Sequence, residues 1–88
     1  MQTSLPADVV RACELVARDH GLTAREAEIL ELLVEARGSR RIEEALYVSH
    51  NTVKTHMLHI HRKLDAHSRE AVLELVEKAR LEQVARSR

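Results

Sequence analysis

The sequence has very few turn-forming or aromatic residues. Its 88 residues include two glycines, one proline and a single aromatic side chain, Tyr47. β-Sheet proteins need frequent turns and favour aromatic side chains, so this composition argues against strands. Apolar residues still make up 44% of the chain, and most are Leu, Ile, Val or Ala. We therefore predict one small all-α domain, a helical bundle with an aliphatic core.

Cysteines and long apolar runs are also scarce. Cys13 is the only cysteine, so an internal disulfide is excluded and a reducing compartment is the simpler assumption. No apolar run approaches the roughly 18 residues of a transmembrane helix, and no signal-peptide pattern is present. We expect a soluble, cytoplasmic chain that does not insert into a membrane.

The chain carries no excess charge of either sign, with 14 basic and 14 acidic residues. Their distribution is uneven. Residues 1–36 hold three basic against seven acidic side chains, residues 37–63 hold six against two, and residues 64–88 hold five of each. The positive middle segment is suited to face a polyanion, while the acidic segment discourages other orientations.

The basic segment contains the stretch around which we organise the prediction, a helix with Ser49 as its N-cap. Its core face is formed at helical spacing by Val53, Met57, Ile60 and Leu64. The outward side carries Asn51, Thr55, Leu58 and Arg62, with Lys54 and His59 on its flanks. This helix has no carboxylate, although solvated helix faces usually pair acids with bases. The outward side therefore suits a negatively charged partner.

A second, short helix is predicted just before it, over residues 39–46. Only Tyr47 and Val48 separate this helix from Ser49. Two helices joined by so tight a turn form a helix-turn-helix, whose second helix lies in the DNA major groove.

At these positions the sequence resembles the LuxR-type DNA-binding domain of bacterial transcription regulators. The matching positions, in order and spacing, are residues 22–30 (LTAREAEIL), Ile42, Leu46, residues 48–49, residues 52–56 (TVKTH), Ile60, residues 63–64 and residues 68–69. The resemblance implies a tetra-helical DNA-binding domain over residues 22–88, preceded by an extra or linker helix in residues 1–21. It also implies double-stranded DNA as partner, no cofactor, and an upstream sensor or receiver domain.

The resemblance assigns roles along the second helix. Side chains expected to face bases are Asn51, Lys54, Thr55, Leu58 and His59. Those expected to face phosphates are Arg40, Ser49, Thr52, Arg62 and Lys63. Lys54 and Thr55 fall on positions that read bases in the family. Leu58 stands where the family often has a polar residue, and it would meet a thymine methyl.

A last helix is predicted from Arg69 to about Gln83. In the family this helix forms the dimer interface, which implies a homodimer with contacts from Val72, Leu75, Val76 and Ala79. The alternative is a helix used entirely for the core of its own chain.

The remaining segments offer local signals. Pro6 and Gly21 bound a first helix, which either packs on the domain or couples to an upstream regulator. Thr23 and Glu26 form a capping box for the scaffold helix. Residues 36–38 depart from the family pattern, so that the helix cap moves by two residues. Glu43 departs as well, and it either faces solvent or pairs with Lys54, His50 or Arg40.

Other functions are less well supported by the sequence. His56 and His59 are three residues apart, as metal ligands on a helix can be, but no acidic residue or cysteine lies at ligand spacing. We therefore predict no metal. No nucleophile elbow or phosphate-binding loop is present, which argues against an enzyme. The remaining alternative is a helical protein-interaction module that has lost DNA binding.

Overall fold

The computed structural model of the protein describes residues 5–35 and 39–86. These residues form five helices: α1 (Ala7–His20), α2 (Ala24–Glu35), α3 (Ser39–Leu46), α4 (His50–Leu64) and α5 (Arg69–Arg86). No strand occurs in the part that is described. The predicted all-α class, with one helix added before a helix-turn-helix domain, is confirmed.

The predicted capping residues set the helix boundaries. Gly21 ends α1 in the left-handed conformation at φ 69°, where an L side chain would be strained. The capping box opens α2: the Thr23 amide donates to Glu26 Oε1 at 2.9 Å, and the Glu26 amide donates to Thr23 Oγ at 3.1 Å. Ser49 caps α4 by accepting the Thr52 amide at 3.2 Å. The predicted change of cap at residues 36–38 lies outside the described residues.

The core is one aliphatic cluster shared by all five helices. Its largest fully buried side chains are Ile29, Leu30, Ile42, Ile60, Val53, Val72 and Cys13. Helix α2 contacts α1, α3 and α4, so it supports the helix-turn-helix from behind. No described helix combines the length and the apolar character that crossing a bilayer requires.

Helix α1 packs chiefly against α5. Arg80 of α5 reaches across and donates to Asp8 Oδ2 of α1 at 3.2 Å. Of the two interpretations of α1, the structure therefore supports the one in which this helix packs on the domain.

This packing changes the prediction for the dimer interface. Val72 and Val76 are buried in the core of their own chain, and Leu75 and Ala79 are partly buried against it. Val72 and Val76 are thus not available to a partner, because the core and the neighbouring helices already cover them. The sequence could not reveal this, since the contact joins the two ends of the chain.

Candidate nucleic-acid interface

The turn between α3 and α4 fixes the geometry of the helix-turn-helix. Tyr47 adopts a left-handed conformation at φ 56°, and the Val48 amide donates to the Glu43 carbonyl at 3.2 Å. This bond belongs to a Schellman motif, which stops α3 abruptly. The chain can then enter α4 at Ser49 after only two residues.

The two sides of α4 are as different as the sequence predicts. Val53, Ile60 and Leu64 are buried, and Met57 is half-buried against the core. The five side chains predicted to face bases, Asn51, Lys54, Thr55, Leu58 and His59, are all exposed. Ser49, Thr52 and Arg62 are exposed as well.

An open groove of about 510 Å³ runs along this helix. It is lined by Asn51, Lys54, Thr55, Met57, Leu58 and His61. Leu58 is 56% exposed, so its apolar side chain is accessible within this groove. The groove therefore offers hydrogen-bonding groups beside a small apolar surface, the combination that base edges and thymine methyls present in the major groove.

Lys63 does not point toward the outward side. Its ammonium donates to Glu26 Oε1 at 2.7 Å and to the Gly21 carbonyl at 3.3 Å. The structure therefore places Lys63 in contacts within the domain, which differs from its predicted role at phosphates. The physical reason is Glu26, a buried carboxylate that requires a partner.

Glu43 resolves one of the open alternatives. Its Oε2 lies 2.9 Å from His50 Nδ1, so this acid of α3 pairs with the first residue of α4. The side chain of Arg40, predicted to contact phosphate, lies outside the described part of the structure.

The structure brings together three possible metal ligands that the sequence separates. Glu26 of α2 approaches His56 and His59 of α4, with the ligand atoms within 4.8 Å of one another. Glu26 lies 30 residues before His56 in the sequence, outside the local ligand spacing on which the prediction of no metal depended. No local signal in the sequence indicates that contact, because it forms only when α2 packs on α4.

The comparisons with known proteins agree with this geometry. Residues 20–76 match the family described as bacterial regulatory proteins, luxR family. The chain belongs to this family. The matched segment of this luxR-family chain contains α2, α3 and α4, and it ends within α5.

Several curated relatives are similar to this luxR-family chain. The uncharacterized response regulatory protein YgeK of Escherichia coli K12 is 38% identical over 65 residues, which cover 74% of this chain and 44% of YgeK. The transcriptional regulatory protein DegU of Brevibacillus brevis is 43% identical over 58 residues, covering 65% of this chain and 25% of DegU. The spore germination protein GerE of Bacillus subtilis is 39% identical over 62 residues, covering 69% of this chain and 84% of GerE.

The chain thus spans less than half the length of YgeK and a quarter of DegU. No solved structure gives a significant match.

Proposed function

We propose that this chain is a sequence-specific DNA-binding domain of a transcription regulator, with α4 as its recognition helix. One observation carries the proposal: the exposed side of α4 has hydrogen-bonding and basic groups and no carboxylate, and several of these groups line an open groove together with Leu58. Its membership of the luxR family and the regulatory names of its relatives support the same role.

Within that role, we assign base contacts to Asn51, Lys54, Thr55, Leu58 and His59. Phosphate contacts come from Ser49, Thr52 and Arg62, with Arg40 as a further candidate. Ser49 and Thr52 sit at the N-terminus of α4, where the helix dipole and the free amides favour an anion. Lys63 is better assigned to the contact between α4 and α2, because its ammonium already bonds to Glu26.

The test is selection from a random DNA library, followed by mobility-shift titration of the selected site. Lys54→Ala should weaken binding by about 1–3 kcal/mol and relax specificity at one position. Arg62→Ala should weaken binding to all DNA sequences about equally. It should also reduce the slope of affinity against salt concentration by roughly the amount that one phosphate contact contributes. Lys78→Ala, at an exposed position of α5, is the control for loss of a positive charge. If Lys54→Ala and Arg62→Ala bind DNA like the parent, the interaction-module interpretation replaces this one.

We also propose that two copies bind DNA together. A two-fold contact would set two recognition helices about 34 Å apart, one DNA turn. Because Val72 and Val76 are buried, we place this contact at the exposed apolar side chains of α5, Leu81 and Val84. We place the regulator in the cytoplasm. We also expect a sensor or receiver domain upstream of the DNA-binding domain.

A further inference from the structure

Glu26, His56 and His59 form a cluster at the junction of α2 and α4, and only His59 of the three is also assigned a base contact. His56 and His59 lie three residues apart on α4, so their side chains share one side of the helix. Glu26 approaches that side from the first turn of α2. One ligand atom from each residue lies within 4.8 Å of the other two. These are the only three residues of the described chain that combine in such a group.

The polar atoms of this cluster are incompletely satisfied. His56 Nδ1 is buried and has no hydrogen-bond partner, a costly state for a ring nitrogen. Glu26 Oε1 accepts bonds from Thr23 and Lys63, whereas Oε2 faces His59 Nδ1 at 3.6 Å. That separation is too long for a hydrogen bond. An ion between these atoms could bind the lone pairs of both rings and Oε2.

We propose that Glu26, His56 and His59 bind a divalent transition-metal ion, with Zn²⁺ as the best match. Two imidazoles and one carboxylate are the ligand types that Zn²⁺ accepts, whereas Ca²⁺ and Mg²⁺ require sets of oxygen ligands. The His59 side chain is 46% exposed and gives the ion a path from solvent. Among the described residues no further ligand joins the group, so a tetrahedral ion would keep its fourth position open to water.

Lys63 sets the strength of this site. Its ammonium already neutralises Glu26 at 2.7 Å from Oε1, and it repels an incoming cation. Removing this charge should therefore tighten metal binding, while the hydrogen bond to Oε1 should be kept. Lys63→Gln meets both conditions, since its amide can still donate.

The test is a Zn²⁺ titration of the full chain against a competing chromophoric chelator. The parent should bind one ion, and His59→Gln should bind it at least about tenfold more weakly. His59→Gln is suited to the test because this half-exposed side chain can change without loss of the fold, which circular dichroism verifies. His50→Gln is the matched control, because it also removes an imidazole of α4 that lies near a glutamate. His50 Nδ1 is 2.9 Å from Glu43 Oε2. Its affinity should equal that of the parent.

A second measurement identifies the ligands directly. On titration with Zn²⁺, the ring resonances of His56 and His59 should shift together, and those of His50 and His67 should stay in place. Lys63→Gln should bind Zn²⁺ several-fold more tightly than the parent. The proposal is overturned if His59→Gln and His50→Gln lower the affinity equally, which indicates adventitious binding to exposed imidazoles. It is equally overturned if the parent binds no ion, or if Zn²⁺ shifts only the resonances of His50 and His67.

Discussion

The Lys63 ammonium lies 2.7 Å from Glu26 Oε1 and joins the last turn of α4 to the first turn of α2. The same oxygen accepts the Thr23 amide, so one carboxylate both caps α2 and holds α4. Burial raises the pKa of Glu26, but the bonds from Lys63 and Thr23 outweigh it, and the pKa lies below its usual value. Helix α4 is thus attached to α2 through a buried charge.

This depressed pKa predicts a loss of stability in acid. The unfolded chain, whose Glu side chains have a pKa of about 4.3, binds a proton at Glu26 before the folded chain does. The free energy of unfolding should therefore fall as the pH drops from about 5 through the folded-state pKa. Glu26→Gln should lower stability at pH 7 by about 2 kcal/mol and flatten this acid dependence. Urea denaturation at several pH values measures both effects.

The control for this prediction is Glu28→Gln. Glu28 lies on the same helix, but it is exposed and its carboxylate lies 3.6 Å from the Arg25 guanidinium, so its loss should matter little. Equal acid slopes for Glu26→Gln and the parent would show that the acid sensitivity arises elsewhere.

Two helix ends provide a pair of substitutions with opposite expected signs. Gly21 and Tyr47 both have left-handed backbones, at φ 69° and φ 56°. Gly21→Ala should destabilise the protein by roughly 1–2 kcal/mol through backbone strain alone, because its new Cβ meets no atom within 4 Å. Tyr47→Gly should stabilise it by up to about 1 kcal/mol, since the tyrosine side chain is 95% exposed and contributes little packing.

Thermal or urea unfolding of the two variants and the parent measures this pair. Arg18→Ala, an exposed substitution within α1, reports the effect of an ordinary change near Gly21. If Gly21→Ala is as stable as the parent, strain at the left-handed position does not limit the stability of this cap.

The sequence predicts what depends on local signals and misses what depends on distant contacts. Thr23, Ser49 and Gly21 mark helix ends by their own chemistry, and each lies where the sequence predicts it. The burial of Glu26 was not predicted, because its partner Lys63 is 37 residues away. From the sequence alone, Glu26 is explained as a helix cap and Lys63 as a phosphate contact. Only the packing of α4 on α2 selects the contact that forms.

The same limit applies to the predicted dimer interface on α5. Val72, Leu75, Val76 and Ala79 form an apolar stripe along this helix, but a stripe does not reveal whether its partner is a second molecule or the chain itself. Here the chain covers Val72 and Val76 within its own core, with α1 packed alongside. Resemblance to a family could not decide the question, because α1 lies mostly outside the matched residues 20–76.

Cys13 should be unreactive while the protein is folded. Its side chain is only 1% exposed, and burial, with Glu31 and Glu14 nearby, raises the pKa of its thiol to about 12. The thiolate is the form that attacks a disulfide reagent, and with this raised pKa it is almost absent at pH 8. The reaction with a disulfide reagent should be slow in buffer and fast in denaturing urea. A rate in buffer equal to that in urea would show that the α1 side of the core opens freely.

The dimer contact is tested by comparing an exposed and a buried position on α5. Leu81 is 54% exposed, whereas Val72 is fully buried. Leu81→Asp should leave the unfolding temperature nearly unchanged, because surface substitutions usually change stability by no more than about 0.5 kcal/mol. It should nevertheless weaken binding to a duplex with two half-sites more than to one with a single half-site, since a two-fold contact places the new charge in the interface twice.

Val72→Asp should instead unfold the domain, because an unpaired carboxylate would replace a side chain in the core. Sedimentation of the parent and Leu81→Asp, with each duplex, measures assembly, and circular dichroism of all three proteins measures folding. A parent that binds the two-half-site duplex only as independent monomers would remove the dimer proposal. Equal assembly of Leu81→Asp and the parent would place the contact on another part of the surface.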